Sequence, residues 1–422
     1  MMTSRERVAA ALEHRQPDRT PIDLGGGGAV CGMQVSTVYK LRQALGLDAP
    51  GTPVKVIDPF QMLGEIAPDL LAAVGGDVIG TGLPYTLFGY PAADWKPWTM
   101  PDGTPVLVPG LFNTEPDEKG DLYQYPQGDR SVPPSGRMPK GGFYFDAIVR
   151  QEPIDDEKLD PADNVEEYKP LTDDELAGIK ARVDDVYNNT DKAIELTIPG
   201  AAFGDIAFVP GPSLKRTKGI RDVEEWYMST VTRKDYVREV FERQCEIVLA
   251  NLPRIYDAVG NKPNVVFISG TDFGAQNGPF ISPRAFDSLY APYLKRVNDW
   301  IHANTTWKTF IHSCGSIQPL IPHFIDVGFD VLNPVQTSAV NMRPEDLKAR
   351  FGAKLTFWGG GVDTQHTLPQ ATPDEIRAEV KHVLDVFAPG GGYIFNPIHN
   401  VQKGVPVENL IAMYETVRNW SC

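Results

Sequence analysis

The sequence of 422 residues has few cysteines, no long apolar run and no concentration of basic residues. Its four cysteines, Cys31, Cys245, Cys314 and Cys422, form no C-x-x-C pair and are too few for a disulfide scaffold in a chain of this length. No run approaches the ~18 apolar residues that a membrane span needs, and the first residues lack the apolar segment of a signal peptide. These absences predict a cytoplasmic protein that does not enter a membrane.

Acidic residues outnumber basic ones, 55 against 40, which gives a formal net charge of −15. Residues 152–191 alone hold 14 acidic and 4 basic residues, a pattern typical of a solvated face. A nucleic-acid-binding protein normally carries a basic patch, and none is visible here. The composition is that of an ordinary globular protein, and no nucleic-acid partner is expected.

The most informative stretch is TFIHSCGS, residues 309–316, a short apolar run that ends in His312 and Cys314. Residues two apart in a strand project to the same side, so these two side chains would leave the strand end together. Imidazole and thiolate both bind Zn²⁺, and His399, just past the strand-like run GGYIFNP, is the best third ligand. The alternative is a small buried thiol beside a hydrogen-bonded histidine.

Strand-like runs alternate with helical patterns through most of the chain, which predicts a parallel sheet. Eight such runs are visible: 20–24, 77–80, 192–199, 265–271, 309–316, 330–334, 355–361 and 391–397. Eight repeats favour one α/β domain over residues 1–422, a closed (β/α)₈ TIM barrel, with a doubly wound open sheet as the alternative. A long insertion, residues 83–171, follows the second strand, and a connection of this length is typical of a lid or binding excursion on a larger scaffold. Its Asp102-Gly103 pair predicts a hairpin.

In such barrels chemistry occurs at the carboxyl ends of the strands, where further polar residues fall in this interpretation. Asp272 follows strand four and is our predicted catalytic residue, although it could instead only cap the following turn. Asn333 and Gln336 follow strand six, and Asn400 follows strand eight. We predict that these three bind substrate; the alternative for Asn333 is that it satisfies loop backbone.

Six segments carry a family resemblance: TSRERVAAALEHRQPDRTPID, GTDFGAQNGPFISPRAFDSLYAPYLKRV, IHSCGSIQPLIP, FDVLNPVQTSA, LTFWGGGVDTQ and GGYIFNPIHNVQKGVPVENL. Together they resemble the uroporphyrinogen decarboxylase superfamily, in its corrinoid-dependent methyltransferase branch. The resemblance implies a (β/α)₈ barrel and a zinc ion held by H-x-C and a later cysteine. His312 and Cys314 match the first two ligands, and His399 stands where those relatives have the cysteine.

The same resemblance implies a partner protein that carries the corrinoid (cobalamin), because this chain has no cobalamin-binding D-x-H-x-x-G. We therefore predict a zinc-dependent methyltransferase that moves a methyl group between a small-molecule donor or acceptor and that corrinoid. O-demethylation of a methoxylated aromatic compound is the predicted reaction. A homodimer is considered, but the sequence does not determine the oligomeric state.

Two other functions are considered. The first is a metal-free lyase of the decarboxylase type, but the arginine-rich R-Q-A-G-R segment of those enzymes is replaced here by GGGGAVCGM, residues 25–33. The second is a barrel that binds a small ligand without turnover, or a zinc-dependent enzyme of an unrelated reaction.

Overall fold

A computed structural model describes residues 2–421, so Met1 and Cys422 lie outside the described chain. In this range the α-helices are α1 (Ser4–Leu12), α2 (Val35–Ala44), α3 (Pro68–Val74), α4 (Asp173–Asn189), α5 (Val223–Thr232), α6 (Lys234–Val259), α7 (Pro283–Leu289), α8 (Ala291–Asn304), α9 (Ile321–Asp326), α10 (Pro344–Phe351), α11 (Thr367–Gln370), α12 (Pro373–Phe387) and α13 (Val407–Asn419). The strands are β1 (Val54–Asp58), β2 (Leu63–Gly64), β3 (Val78–Thr81), β4 (Lys96–Thr99), β5 (Pro105–Val108), β6 (Leu122–Gln124), β7 (Gly136–Met138), β8 (Asp146–Ala147), β9 (Ala193–Thr197), β10 (Val265–Ser269), β11 (Gly274–Ala275), β12 (Gly278–Pro279), β13 (Lys308–His312), β14 (Val331–Asn333), β15 (Thr356–Trp358) and β16 (Tyr393–Ile394).

The central sheet has seven parallel strands in the order β16-β15-β14-β13-β10-β9-β3. The predicted first strand, residues 20–24, forms a single bridge instead of a ladder. Ile22 pairs with Phe395 beside β16, and its carbonyl accepts a hydrogen bond from Asp77 N–H (2.7 Å) beside β3. This short segment touches both edges and completes the ring, which confirms the predicted barrel. Pro21 has no N–H to donate and glycines follow, so a regular ladder stops at one residue.

Helix α1 covers the N-terminal end of the barrel. Arg5 N–H donates to the carbonyl of Asp191 just before β9, and Gly392 N–H, just before β16, donates to Ala11. Inward-facing strand residues pack with three residues of this helix in one buried cluster: Val8, Ala11, Leu12, Val78, Ala193, Val265, Phe310, Val331, Trp358 and Ile394. This end of the barrel is therefore apolar and closed, which leaves the opposite end, where the strands finish, for a functional site.

The other helices cover the outside of the sheet. Among them, Thr372 and Glu375 form a capping box on α12, and the Ser282 side chain caps α7. The last helix, α13, buries Leu410, Met413 and Val417, as its apolar spacing predicts. No helix in the described chain combines the length and the apolar composition that crossing a bilayer requires.

Residues 83–171 contain five strands and no α-helix among the elements described above. Strands β4 and β5 form the predicted hairpin, closed by Met100 N–H donating to the Thr104 carbonyl (2.9 Å). Strand β5 also pairs with β1, so one sheet, β2-β1-β5-β4, joins the insertion to residues that precede the second barrel strand. We call this the accessory sheet. Its extent was not predicted, because the β1–β5 pairing links segments about fifty residues apart. The domain boundaries themselves stay a prediction.

Candidate metal centre

Three elements bring the predicted ligands together at the carboxyl ends of the strands. His312 is the last residue of β13, Cys314 lies two residues further on, and His399 lies in the loop after β16. One candidate ligand atom from each residue lies within 4.8 Å of the other two. Cys314 Sγ is 3.3 Å from His312 Nε2, and the two imidazole rings are 5.3 Å apart. His312 is buried, whereas Cys314 and His399 are partly exposed, so a ligand can approach from the mouth.

The orientation of His312 is set by the neighbouring strand. Parallel pairing places His312 opposite Asn333 of β14, and His312 Nδ1 lies 2.5 Å from Asn333 Oδ1. The Asn333 amide nitrogen donates to the Trp358 carbonyl (2.8 Å), so Oδ1 is the acceptor and His312 Nδ1 carries the proton. The lone pair on Nε2 therefore faces Cys314, as a metal-binding histidine requires. Asn333 is fully buried behind His312, and its predicted contact with substrate stays a prediction.

Asp272 supports the loop that carries Cys314. Its Oδ1 accepts the Cys314 N–H (2.7 Å) and lies 3.8 Å from His312 Nε2. The carboxylate thus holds the backbone of a loop 42 residues further along the chain, whereas the alternative considered from the sequence was a cap of its own following turn. A quarter of the Asp272 side chain remains exposed beside the candidate ligands. A structural and a catalytic role are compatible in this position, and the catalytic role stays a prediction.

The next residue explains why glycine follows the cysteine. Gly315 has φ +87°, and a Cβ there would overlap the backbone of Gly274. Its N–H donates to Gln336 Oε1 (2.7 Å), and the Gln336 amide nitrogen donates to Gln276 (3.0 Å). Gln336 is largely buried, and it holds the loop that carries Cys314. Its predicted role in binding substrate stays a prediction.

His399 is held by the residue that follows it. Its Nδ1 accepts the backbone N–H of Asn400 (2.7 Å). The Asn400 side chain accepts from Gly32 N–H (2.6 Å) and donates to the Ala29 carbonyl (2.6 Å) and to Gln61 Oε1 (2.8 Å). Asn400 is almost completely buried and connects the last barrel loop to the glycine-rich loop after residue 24. Its predicted contact with substrate also stays a prediction.

Burial keeps both histidines neutral. It lowers the pKa of His312 to about 4 and that of His399 to about 4, and for His399 the neighbouring His312 contributes further. Burial, followed by the Asp272 carboxyl, raises the pKa of the Cys314 thiol well above its ordinary value, and burial also raises the pKa of Asp272. A divalent cation reverses this preference for the thiol, because it stabilises the thiolate.

This donor set fits zinc, which binds imidazole nitrogen and thiolate sulfur in proteins. His312 fits without change, because its free lone pair lies on Nε2. His399 fits less completely: its Nδ1 accepts the Asn400 N–H, which places the proton of the neutral ring on Nε2. Ligation by His399 requires that this hydrogen bond or that proton be given up. We therefore expect His399 to be the weakest of the three ligands.

A second polar group, inside the barrel, was missed from the sequence. Asp23 is fully buried, accepts the Trp358 indole N–H (2.9 Å), and has a pKa raised by burial to about 6. Glu195 of β9 is equally buried, and burial raises its pKa well above its ordinary value. Cys31 lies nearby, with a thiol pKa raised by burial and by Asp23. The acidic residue within the apolar strand AIELT was the available signal.

Comparison with known proteins agrees with this architecture. The family model described as uroporphyrinogen decarboxylase (URO-D) matches residues 153–420. A methyltransferase from Methanosarcina mazei has the same fold: 99% of each chain superimposes with a TM-score of 0.55 and 16% sequence identity. The fold and site thus define a (β/α)₈ barrel with a candidate metal centre at its mouth. The chain belongs to the uroporphyrinogen decarboxylase family.

Individual relatives match over shorter segments. The uroporphyrinogen decarboxylase of Geobacter metallireducens is 28% identical over 148 residues, which cover 34% of this chain and 40% of that protein. The uroporphyrinogen decarboxylase of Actinobacillus succinogenes is 33% identical over 18% of this chain and 21% of that protein. The enzyme of Hydrogenovibrio crunogenus is 23% identical over 41% of this chain and 49% of that protein. The chain thus spans less than half the length of these curated relatives.

Proposed function

We propose that this protein is a zinc-dependent methyltransferase that moves a methyl group between a small molecule and a corrinoid carried by a partner protein. The observation that carries the proposal is the convergence of His312, Cys314 and His399 at the barrel mouth. Membership of the family and a fold shared with a methyltransferase support it. Within this class we propose O-demethylation of a methoxylated aromatic compound.

Different residues of the site are proposed to bind the metal, to orient a ligand and to move a proton. His312, Cys314 and His399 would hold the metal, with Asn333 fixing the tautomer of His312. Bound zinc would supply Lewis acidity towards an ether oxygen or stabilise a thiolate acceptor, and the partner's corrinoid would carry the methyl group. Asp272, partly exposed beside the ligands, is our proposed group for moving a proton to or from the substrate.

Asn333, Gln336 and Asn400 are proposed to act on substrate mainly through the loops they hold. Each is at least nine-tenths buried and hydrogen-bonded to a ligand residue or its neighbour. Substrate position would therefore depend on them through His312, the Cys314 loop and the His399 loop.

Phe280 marks the proposed docking surface for the corrinoid protein, because it is a large apolar side chain left 55% exposed beside the site. It packs on the Tyr227 ring (5.6 Å between ring centroids), and the Tyr227 hydroxyl donates to the Asp272 carbonyl (3.0 Å), so this side chain adjoins the site. Aromatic side chains are enriched at protein interfaces, which favours Phe280 as a contact for the partner.

A metal-free decarboxylase is the second candidate, because the sequence relatives named above are uroporphyrinogen decarboxylases. The segment GGGGAVCGM, residues 25–33, contains no arginine to bind the carboxylates of such a substrate. Replacement of Cys314 by serine separates the two candidates, since it should abolish methyl transfer and leave metal-free decarboxylation largely intact.

Metal content is the deciding test. Elemental mass spectrometry of the purified protein should find about one zinc per chain, and the His312→Ala, Cys314→Ala double variant should lose it. Cys245→Ser is the matched control, because this buried thiol lies within α6, away from the site. Methyl transfer from a methoxylated aromatic compound to free cob(I)alamin, followed by its visible spectrum, then tests the reaction. A protein that takes up no zinc at micromolar concentration would exclude the proposed mechanism.

A further inference from the structure

The third ligand is held by residues from outside the barrel, whereas the first two are not. His312 rests on Asn333 of the barrel strand β14, and the Cys314 loop rests on Asp272 after β10. His399 instead depends on Asn400, whose amide nitrogen donates to Gln61 Oε1 (2.8 Å). Gln61 lies in the turn between β1 and β2 of the accessory sheet.

We propose that Gln61 is a positioning residue for His399, through which the accessory sheet and the insertion set the metal affinity of the site. The proposal rests on the proposed function only in requiring that the site bind a divalent metal. Gln61 does not touch the ligand atoms; it acts through Asn400 and the backbone that follows His399.

The Gln61 side chain is fixed at both ends. Its amide nitrogen donates to the Ala29 carbonyl (2.9 Å), and its carbonyl oxygen accepts from Asn400. The Asn400 amide nitrogen also donates to Ala29 (2.6 Å), so Gln61, Asn400 and the glycine-rich loop share one set of hydrogen bonds. Asp58 holds the turn by accepting the backbone N–H of Gln61 (3.3 Å) and of Phe60 (2.8 Å). The position of Asn400 therefore follows the position of this turn.

The turn is in contact with the insertion. The Phe60 carbonyl accepts the N–H of Phe145 (2.8 Å), and the Phe60 ring packs against Phe88 (5.9 Å). Phe88 and Phe145 are both fully buried in the insertion. A displacement of the insertion would thus reach His399 through Phe60, Gln61 and Asn400, without passing through the barrel strands. This connection gives residues 83–171 a role at the metal centre.

His399 is the ligand on which such support matters most. The Nδ1 atom of His399 accepts the Asn400 N–H, so metal ligation requires a change in this loop. The residues that hold Asn400 therefore influence how His399 is placed for the metal. Removal of residues that orient a ligand typically costs about 10–100-fold in metal affinity. We expect Gln61→Ala to weaken zinc binding by that factor, and Gln61→Glu, which keeps an acceptor for Asn400, to weaken it less.

The test is a double-variant cycle on metal affinity. Zinc dissociation constants are measured by chelator competition for wild type, Gln61→Ala, His399→Ala and the double variant. The expected result is a 10–100-fold loss for Gln61→Ala alone and no further loss when it is added to His399→Ala. The Co²⁺-substituted Gln61→Ala protein should show an absorption spectrum shifted towards that of His399→Ala. Gln43→Ala is the matched control, because its amide also donates to a loop carbonyl, that of Ala49, but far from the site.

Two results would overturn the inference. One is an unchanged zinc affinity in a folded Gln61→Ala protein; the other is an equal loss in the His399→Ala background, which would indicate general loosening. If Gln61→Ala does not fold, the comparison of Gln61→Glu with wild type, alone and with His399→Ala, gives the same decision. A wild-type protein that binds no zinc would refute the proposed function instead, so the two failures are distinguishable.

Discussion

Replacement of Asn333 by alanine is the sharpest test of how His312 is prepared for a metal. The change removes the acceptor of His312 Nδ1–H and the donor to the Trp358 carbonyl, both of them buried. Each buried polar group left without a partner costs about 1–3 kcal/mol, so the free energy of unfolding should fall by roughly 2–6 kcal/mol for the two groups. The imidazole also loses its fixed tautomer, and zinc affinity should fall by about 10–100-fold.

Two measurements separate these effects. Urea unfolding in the presence of chelator gives the loss of stability, and zinc competition on the folded variant gives the loss of affinity. Asn298→Ala is the matched control: Asn298 is equally buried and donates to the Val327 carbonyl (2.9 Å), but it lies in α8. The Asn298→Ala protein should lose stability and keep the zinc affinity of wild type. If Asn333→Ala loses stability by the expected amount while its zinc affinity changes less than about threefold, Asn333 only supports the fold, and the assignment of the tautomer is wrong.

Three further predictions concern the mouth. Gly315→Ala should lower the unfolding free energy by more than the roughly 1–2 kcal/mol of a left-handed residue, because its Cβ meets the Gly274 backbone; a loss below 1 kcal/mol in urea unfolding would contradict the loop geometry. Zinc affinity should rise about tenfold per pH unit between pH 6 and 8, because the raised pKa of the Cys314 thiol means that one proton leaves on binding, whereas the two histidines are already neutral. In chelator competition across this range, a flat profile, or a slope of two, would show that the protonation states are wrong. Phe280→Glu should slow methyl transfer to the protein-bound corrinoid and leave transfer to free cob(I)alamin unchanged. Val149→Glu is the control, because Val149 lies in the insertion and is 49% exposed against 55% for Phe280. Equal slowing of both reactions by Phe280→Glu would refute the docking surface.

The second half of the barrel was predictable because each strand there is a short apolar run between helical patterns, and two of those helices, α7 and α12, begin at recognisable caps. The first strand was only partly predictable: residues 20–24 have strand composition, but Pro21 and the following glycines leave a single bridge at Ile22. The accessory sheet was missed because β1 gains its partner β5 from beyond the second barrel strand, and one sequence gives no signal for such pairing.

The proximity of His312, Cys314 and His399 was predictable from a single rule, that polar residues after parallel strands meet at one edge of the sheet. The roles of the neighbouring amide side chains were not predictable, because an asparagine or glutamine at such a position can contact either a substrate or a histidine. Asn333, Gln336 and Asn400 were all predicted as substrate contacts, and all three make hydrogen bonds to the ligand loops. Those partners are fixed by strand register and loop path, which single-residue patterns do not contain.

The pairing of Ile22 with Phe395 has a consequence for how the protein is made. The ring of strands cannot close until residue 395 has left the ribosome, and His399 and Asn400 follow it by only a few residues. The three candidate ligands therefore come together only when the ring closes. On the proposed function, chains truncated before residue 395 should bind zinc more weakly than the full chain.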